Sequence, residues 1–235
     1  MKKAYLNWSS GKDAAFSLYK IQKQGEYSIK KLVTTVTSEN SKVSMHNLDV
    51  GLLEEQAENI GIPLHLIKLP VGEVPMVEYD KIMKDAVTSL KNDGFRISVF
   101  GDIFLEDLKK YREENLQEVG MEAVFPLWKM DTKELILDFI SQGFKAITIC
   151  VNAKMLSEDF CGRIIDRDFV DSLPKEVDPC GENGEFHTFV FDGPIFSSPV
   201  SYIKGDVYEK IYSGENENKA WDSKFYYCDL KQVVK

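Results

Sequence analysis

Five residues near the start of the chain, Ser9, Ser10, Gly11, Lys12 and Asp13, stand between an apolar run, Ala4-Tyr5-Leu6, and a helix-like segment, Ala14 to Gln24. A strand that breaks into small residues and enters a helix aims backbone N–H groups and the positive end of the helix dipole at one point, which suits a phosphate. The two serines add hydroxyl donors, Gly11 lets the backbone approach a ligand closely, and Lys12 supplies a cation. Asp13 can stabilise the helix start or hold Mg²⁺ against phosphate oxygens. The plainer reading is a helix capped by Ser9 or Ser10. Other chemistry-bearing places lie downstream. Gly101-Asp102 ends the apolar run Ile97 to Phe100, where a parallel sheet presents ligand contacts. Arg112 carries a guanidinium that grips phosphate bidentately. Cys180-Gly181-Glu182-Asn183-Gly184-Glu185 is a dense, acidic, Gly-rich loop.

The elements that must position these residues alternate. Apolar, β-branched runs at Lys31–Thr37, Leu64–Leu69, Ile97–Ile103, Ala123–Phe125 and Ala146–Val151 read as buried strands. Between them lie helical patterns: one opened by Asp49 and closed by Gly61, one from Pro75 to Gly94, one carrying Arg112, and one capped by Asp131 with Glu134 three residues on. Alternation of this kind implies βαβ units around an open, mainly parallel sheet with helices on both faces. The loop after the second strand would flank an adenine ring with Thr35, Val36 and Thr37, and His46 beyond it either touches ligand or satisfies loop carbonyls. His65 alternates with apolar neighbours and reads as structural. Past residue 152 a short helix, Asp166–Leu173, and strand-like pieces at 199–204, 207–211 and 224–230 suggest a small, mostly antiparallel part. The expected division is 1–152 and 153–235.

Composition narrows the function. The 235 residues are 43% apolar, enough for a core, with no apolar run near 18 residues. Four dispersed cysteines without a C-x-x-C pair fit a reducing cytoplasm and offer no zinc site. A net charge of −9 argues against a nucleic-acid partner.

The first turn is neither a Walker A loop nor a dinucleotide fingerprint. It resembles the Ser-Gly-Gly-x-Asp-Ser loop of the ATP pyrophosphatase (PP-loop) superfamily, with Ser10 where the first Gly is usual and Ala14 where the last Ser is. Asp178-Pro179-Cys180-Gly181-Glu182-Asn183-Gly184-Glu185 resembles the Pro-Cys-Gly-Glu-x-Gly-Glu signature of the diphthine–ammonia ligase family. Pro126-Leu127-Trp128, the Gly143-Phe144 turn, Gly101-Asp102-Ile103 and Cys161-Gly162-Arg163 resemble it too. The resemblance implies a PP-loop fold and an ATP-dependent ligase that adenylates a carboxylate, releases pyrophosphate and transfers free ammonia. It implies ATP as cofactor; the residue types and their places at strand ends and in loops add Mg²⁺ and put Ser9 to Asp13, Val36, His46, Gly101, Asp102 and Arg112 around the nucleotide and Asp13 on the metal. Lys12, Asp13, Glu182 and Glu185 would be catalytic, and Cys180, Gly181, Glu182, Asn183 and Glu185 would face the substrate. The acceptor would be diphthine on an elongation factor or another carboxylate; a homodimer is compatible with the chain, and a membrane is not a partner. The alternatives are a PP-loop enzyme of other specificity, thiolating or amidating tRNA or a small molecule, and a non-catalytic adenine-nucleotide-binding module.

Overall fold

The computed structural model describes residues 1–37, 42–43, 48–72, 74–212 and 223–233. Its first sheet is built from β1 (Lys2–Asn7), β2 (Tyr27–Thr37), β4 (Leu64–Leu69), β5 (Ile97–Val99) and β6 (Glu122–Val124), which run parallel in the order β4-β2-β1-β5-β6. The two-residue β3 (Lys42–Val43) pairs antiparallel with the end of β2. Successive side chains of a strand face opposite ways. Ala4, Leu6 and Leu32 therefore enter one core, whereas Tyr5 and Val33 enter another. The first core is covered by α1 (Lys12–Gln24), α2 (Val50–Ile60) and α5 (Thr132–Ser141). The second is covered by α3 (Met76–Asn92) and α4 (Glu106–Glu118), through Leu90 and Leu116. Helices thus lie on both faces, as the alternating pattern requires.

Local chemistry sets the helix ends. The Asp49 side chain accepts from Gly51 N at the start of α2, and Asp131 accepts from Glu134 N at the start of α5. The plainer reading, a helix capped by Ser9 or Ser10, is corrected: Gly11 is the N-cap of α1 and has no side chain to cap with.

The strand Lys145–Asn152, β7, is also corrected. The alternating pattern assigns it to the parallel sheet, but it belongs to a second, antiparallel sheet in the order β8-β7-β10-β9, with β8 (Phe186–Asp192), β9 (Tyr202–Tyr212) and β10 (Ser223–Gln232). The pieces expected at 199–204 and 207–211 form the single strand β9. A short helix, α6 (Arg167–Ser172), sits between β7 and β8. The two sheets share one core. Phe16 of α1 meets Phe139 of α5 and Phe144 edge-on, each at 5.8 Å between ring centroids, and Ile147 and Ile149 of β7 join the same cluster. The second sheet is thereby brought against the start of α1.

Candidate functional site

The parallel strand order reverses between β1 and β5, because the chain runs outward from β1 to β2 and β4 and then returns to β5 on the other side. Open α/β sheets place ligands outside the carboxyl ends of the strands at this switch point. A cleft of about 420 Å³ opens there. Ser9, Gly11, Lys12 and Asp13 line it from the end of β1, Gly101, Asp102 and Arg112 from beyond β5, and Gly181, Glu182 and Thr188 from the C-terminal part. The widely separated stretches singled out in the sequence therefore meet in one place.

The turn between β1 and α1 is held in an unusual shape. Ser10 has φ +70°, the left-handed region that favours glycine. A glycine at this position would adopt that conformation without a Cβ penalty. Three bonds fix the strained residue. Ser10 O accepts from Val190 N at 3.0 Å and from Gln56 Nε2 at 3.1 Å, while Gln56 Oε1 accepts from Trp8 Nε1 at 2.9 Å. Gln56 is fully buried, and its amide also donates to Val190 O. The Ser10 hydroxyl is buried with no bond partner and does not line the cleft. Two of the turn's amides are already occupied: Gly11 N donates to Ser9 Oγ at 3.4 Å, and Lys12 N to Thr188 Oγ1 at 3.0 Å.

Lys12 is only 3% exposed, and its ammonium donates to both oxygens of Asp13 at 2.8 Å. Burial pulls its pKa down, but Asp13, then Cys180 and Glu182, more than offset this and hold it above the usual lysine range. A cation thus stands at the start of α1, with Asp13 as its counter-ion. Asp13 keeps 29% of its side chain exposed.

Gly101 sits where a side chain would collide with the first turn of α1. A Cβ there would lie 2.9 Å from Asp13 C and 3.1 Å from Ala14 N. Asp102 and Arg112 are paired with each other. Arg112 Nε lies 3.0 Å from Asp102 Oδ2, Nη2 donates to Oδ1 at 3.2 Å, and the guanidinium stacks on Phe100 at 4.4 Å. Burial raises the Asp102 pKa, and Arg112 offsets only part of the rise. Arg112, expected to be a phosphate grip, carries its own counter-ion.

The acidic loop divides into a part that faces the cleft and a part that builds the loop. Glu182 lines the cleft and accepts from Ile103 N at 2.8 Å, tying the C-terminal part to the loop after β5. Burial pushes its carboxyl up to about 7, against the Ile103 bond, and Asp13 and Asp102 add to the rise. Glu185, expected at the substrate, is 2% exposed and lies off the cleft. Its carboxylate accepts from Asp178 N, Asn183 N and Asn183 Nδ2, which folds the loop. Asn183 is off the cleft lining with it. Cys180 is fully buried, its thiol donates to Thr132 O at 3.2 Å, and burial pushes its pKa far up. That is an inert thiol packed under the loop, not one facing a substrate. Val36 is likewise buried and off the cleft; Val33, Thr34 and Thr35 of β2 line it instead. His46 lies outside the described residues.

Sequence reasoning missed Gln56 and Thr188. Gln56 carried a signal, a polar residue on the apolar stripe of α2 formed by Leu52, Leu53, Ala57 and Ile60. Among the described residues, no group of three or more His, Cys, Asp or Glu side chains is arranged to hold a metal ion. None of their helices is long and apolar enough to cross a membrane.

A model of the diphthamide synthase N-terminal domain matches residues 1–123, and a model of the diphthamide synthase C-terminal domain matches residues 131–235. The chain belongs to the diphthamide synthase family. Its similarity to proteins named diphthine–ammonia ligase runs the same way. It is 33% identical to one from Schizosaccharomyces pombe over 116 residues, covering 47% of this chain and 19% of the relative. Over 109 residues it is 30% identical to one from Bos taurus, covering 44% of this chain and 41% of the relative. A relative from Danio rerio is 26% identical over 212 residues, covering 82% of this chain and 83% of its own length. The chain thus spans less than half of the first two relatives. In this member of the diphthamide synthase family, both matched segments contribute to the cleft: Ser9, Gly11 to Asp13 and Asp102 come from the first, Glu182 and Thr188 from the second.

Proposed function

We propose that this chain is an ATP-dependent amide ligase of the diphthine–ammonia ligase type. It would adenylate a carboxylate, release pyrophosphate, and let free ammonia displace AMP to leave an amide. The observation that carries this reading is the single cleft in which the β1–α1 turn, Gly101-Asp102 and the Gly181-Glu182 loop meet.

In the first step the acceptor carboxylate oxygen bonds to the α-phosphorus, and the bridge to the β-phosphorus breaks. Negative charge grows on the leaving pyrophosphate. The start of α1 and the buried Lys12 ammonium are fixed beforehand where that charge would develop; one such preorganised donor is worth about 3 kcal/mol. Mg²⁺, when bound, would neutralise phosphate charge. The part-exposed Asp13 carboxylate suits an ion that arrives with the nucleotide, since Mg²⁺ takes one or two carboxylates beside phosphate oxygens. In the second step the nitrogen lone pair of ammonia bonds to the acyl carbon and the bond to AMP breaks. The proton released from nitrogen has Glu182 within the cleft to receive it, its carboxyl near neutrality. The base and the cation that meets the phosphates are assigned to residues 1–152, and the acceptor's side of the cleft to 153–235. The four free thiols are all buried, which suits a reducing cytoplasm.

The test is to incubate the protein with ATP, Mg²⁺, ammonium and a diphthine-bearing acceptor, and to quantify nucleotides and phosphates. Equimolar AMP and pyrophosphate that depend on the acceptor support the ligase. ADP with inorganic phosphate, or no turnover with any carboxylate acceptor, would overturn it.

A further inference from the structure

Ala14 leaves the β1–α1 turn without the hydroxyl that its helix could have presented to a phosphate. Another hydroxyl reaches the same turn from the other end of the chain. Thr188, on β8, lines the cleft and is 4% exposed. Its Oγ1 lies 3.0 Å from Lys12 N and 3.4 Å from the position a Gly11 Cβ would occupy. Its carbonyl oxygen lies 3.2 Å from that position.

We propose that Thr188 is a phosphate-contacting residue of the cleft, supplying from the second sheet the hydroxyl that Ala14 does not. The inference rests on the phosphate reading of the turn. A hydroxyl accepts two hydrogen bonds and donates one. The Lys12 N–H uses an acceptor position, and no described residue accepts the Thr188 proton. An oxygen placed over the start of α1 would receive that proton together with the free N–H groups of the first helical turn. The position is rigid. Two residues further along β8, Val190 N donates to Ser10 O, and Gln56 bonds both Ser10 O and Val190 O. The strand therefore cannot slide past the turn without breaking the bonds that hold Ser10 at positive φ. The same contacts divide the work between the two halves of the chain, the first supplying the cation and the helix terminus and the second the hydroxyl.

The test compares the whole chain with Thr188→Val, which keeps the shape and removes the hydroxyl, and with Thr188→Ser, which keeps the hydroxyl. Binding of inorganic pyrophosphate and of ATP is measured by calorimetry, well below the melting temperature of each protein. A hydrogen bond to a charged group predicts a tenfold to hundredfold, order-of-magnitude loss of pyrophosphate affinity in Thr188→Val and near-complete recovery in Thr188→Ser. Wild-type affinity in Thr188→Val overturns the inference and leaves the cleft's phosphate reading standing. Equal losses in both variants also overturn it, because packing and not the hydroxyl would then be responsible. Failure of the wild-type protein to bind either ligand removes the phosphate reading itself, and the inference with it.

Discussion

Gly101→Ala is the perturbation whose effect the geometry fixes most tightly. The added Cβ would lie 2.9 Å from Asp13 C, about 0.5 Å inside the 3.4 Å at which ordinary contact begins, and 3.1 Å from both Ala14 N and Asp13 O. All three are backbone atoms of the first turn of α1, so no side chain can swing away to make room. The helix cannot retreat freely either. Lys12 N is bonded to Thr188, Phe16 is wedged against Phe139 and Phe144, and Lys20 bonds Asp138 at 2.8 Å. Overpacking of this kind costs about 1–3 kcal/mol. Replacing glycine by alanine returns about 0.5–1 kcal/mol by restricting the unfolded chain. The net loss of about 1–2 kcal/mol corresponds to a fall in melting temperature of roughly 2–8 °C for a chain of this size. The displacement falls on the phosphate turn, and a misplacement near 1 Å costs about a hundredfold in rate. Acceptor-dependent pyrophosphate release should therefore drop about tenfold. Gly25→Ala serves as the comparison. It has φ +71° with nothing within 4 Å of the added carbon, so it should cost about 1 kcal/mol of stability and leave turnover alone. If Gly101→Ala melts within a degree of wild type and turns over normally, the close packing of β5 on α1 does not position the turn.

Ser10→Gly should raise stability by about 1 kcal/mol in chemical denaturation. It relieves positive φ and removes a buried, unbonded hydroxyl, against the entropic cost of glycine; a destabilised variant would show that the serine is not strained. Glu182 should make stability fall as pH rises from 4.5 to 7. Its carboxyl titrates near 7 when folded against an ordinary 4.5, so the folded protein keeps a proton that the unfolded chain has released across that window. Solvent screening of a half-buried group reduces the effect to about 1 kcal/mol. In metal-free buffer Glu182→Gln should lose that decline, and parallel stability–pH curves for the two proteins would contradict it. Cys150, Cys161, Cys180 and Cys228 are free and buried, so alkylation at pH 8 should wait for unfolding; rapid labelling of Cys180 in the native protein would refute the inert-thiol assignment.

Much of the fold was legible because local chemistry and tertiary demand agreed. Asp49, Asp131, Gly61 and Gly94 punctuate helices in the sequence and do so in three dimensions. The run Ala146–Val151 announced a buried strand but not its partner. A strand buried along almost its whole length reads the same in the middle of a parallel sheet as in β7, between β8 and β10. The candidate site was legible as stretches but not as individual side chains. Glu182 and Glu185 stand in the same acidic cluster, and only the turn between them decides that one faces the cleft while the other folds the loop. The Asp102–Arg112 pair depends on how α4 packs over the end of β5, and Thr188 meets Lys12 across 176 positions of chain. No spacing rule reaches contacts of that length.

The central claim is that the turn from Ser9 to Asp13 cradles the outer phosphates of ATP. A crystal structure of the protein bound to a non-hydrolysable ATP analogue tests it most directly. The account predicts the β- and γ-phosphates within hydrogen-bond reach of Lys12 Nζ and the first turn of α1, with the base beside Val33, Thr34 and Thr35. Phosphates lodged elsewhere, or a turn that stays closed by its own side chains at saturating analogue, would contradict it.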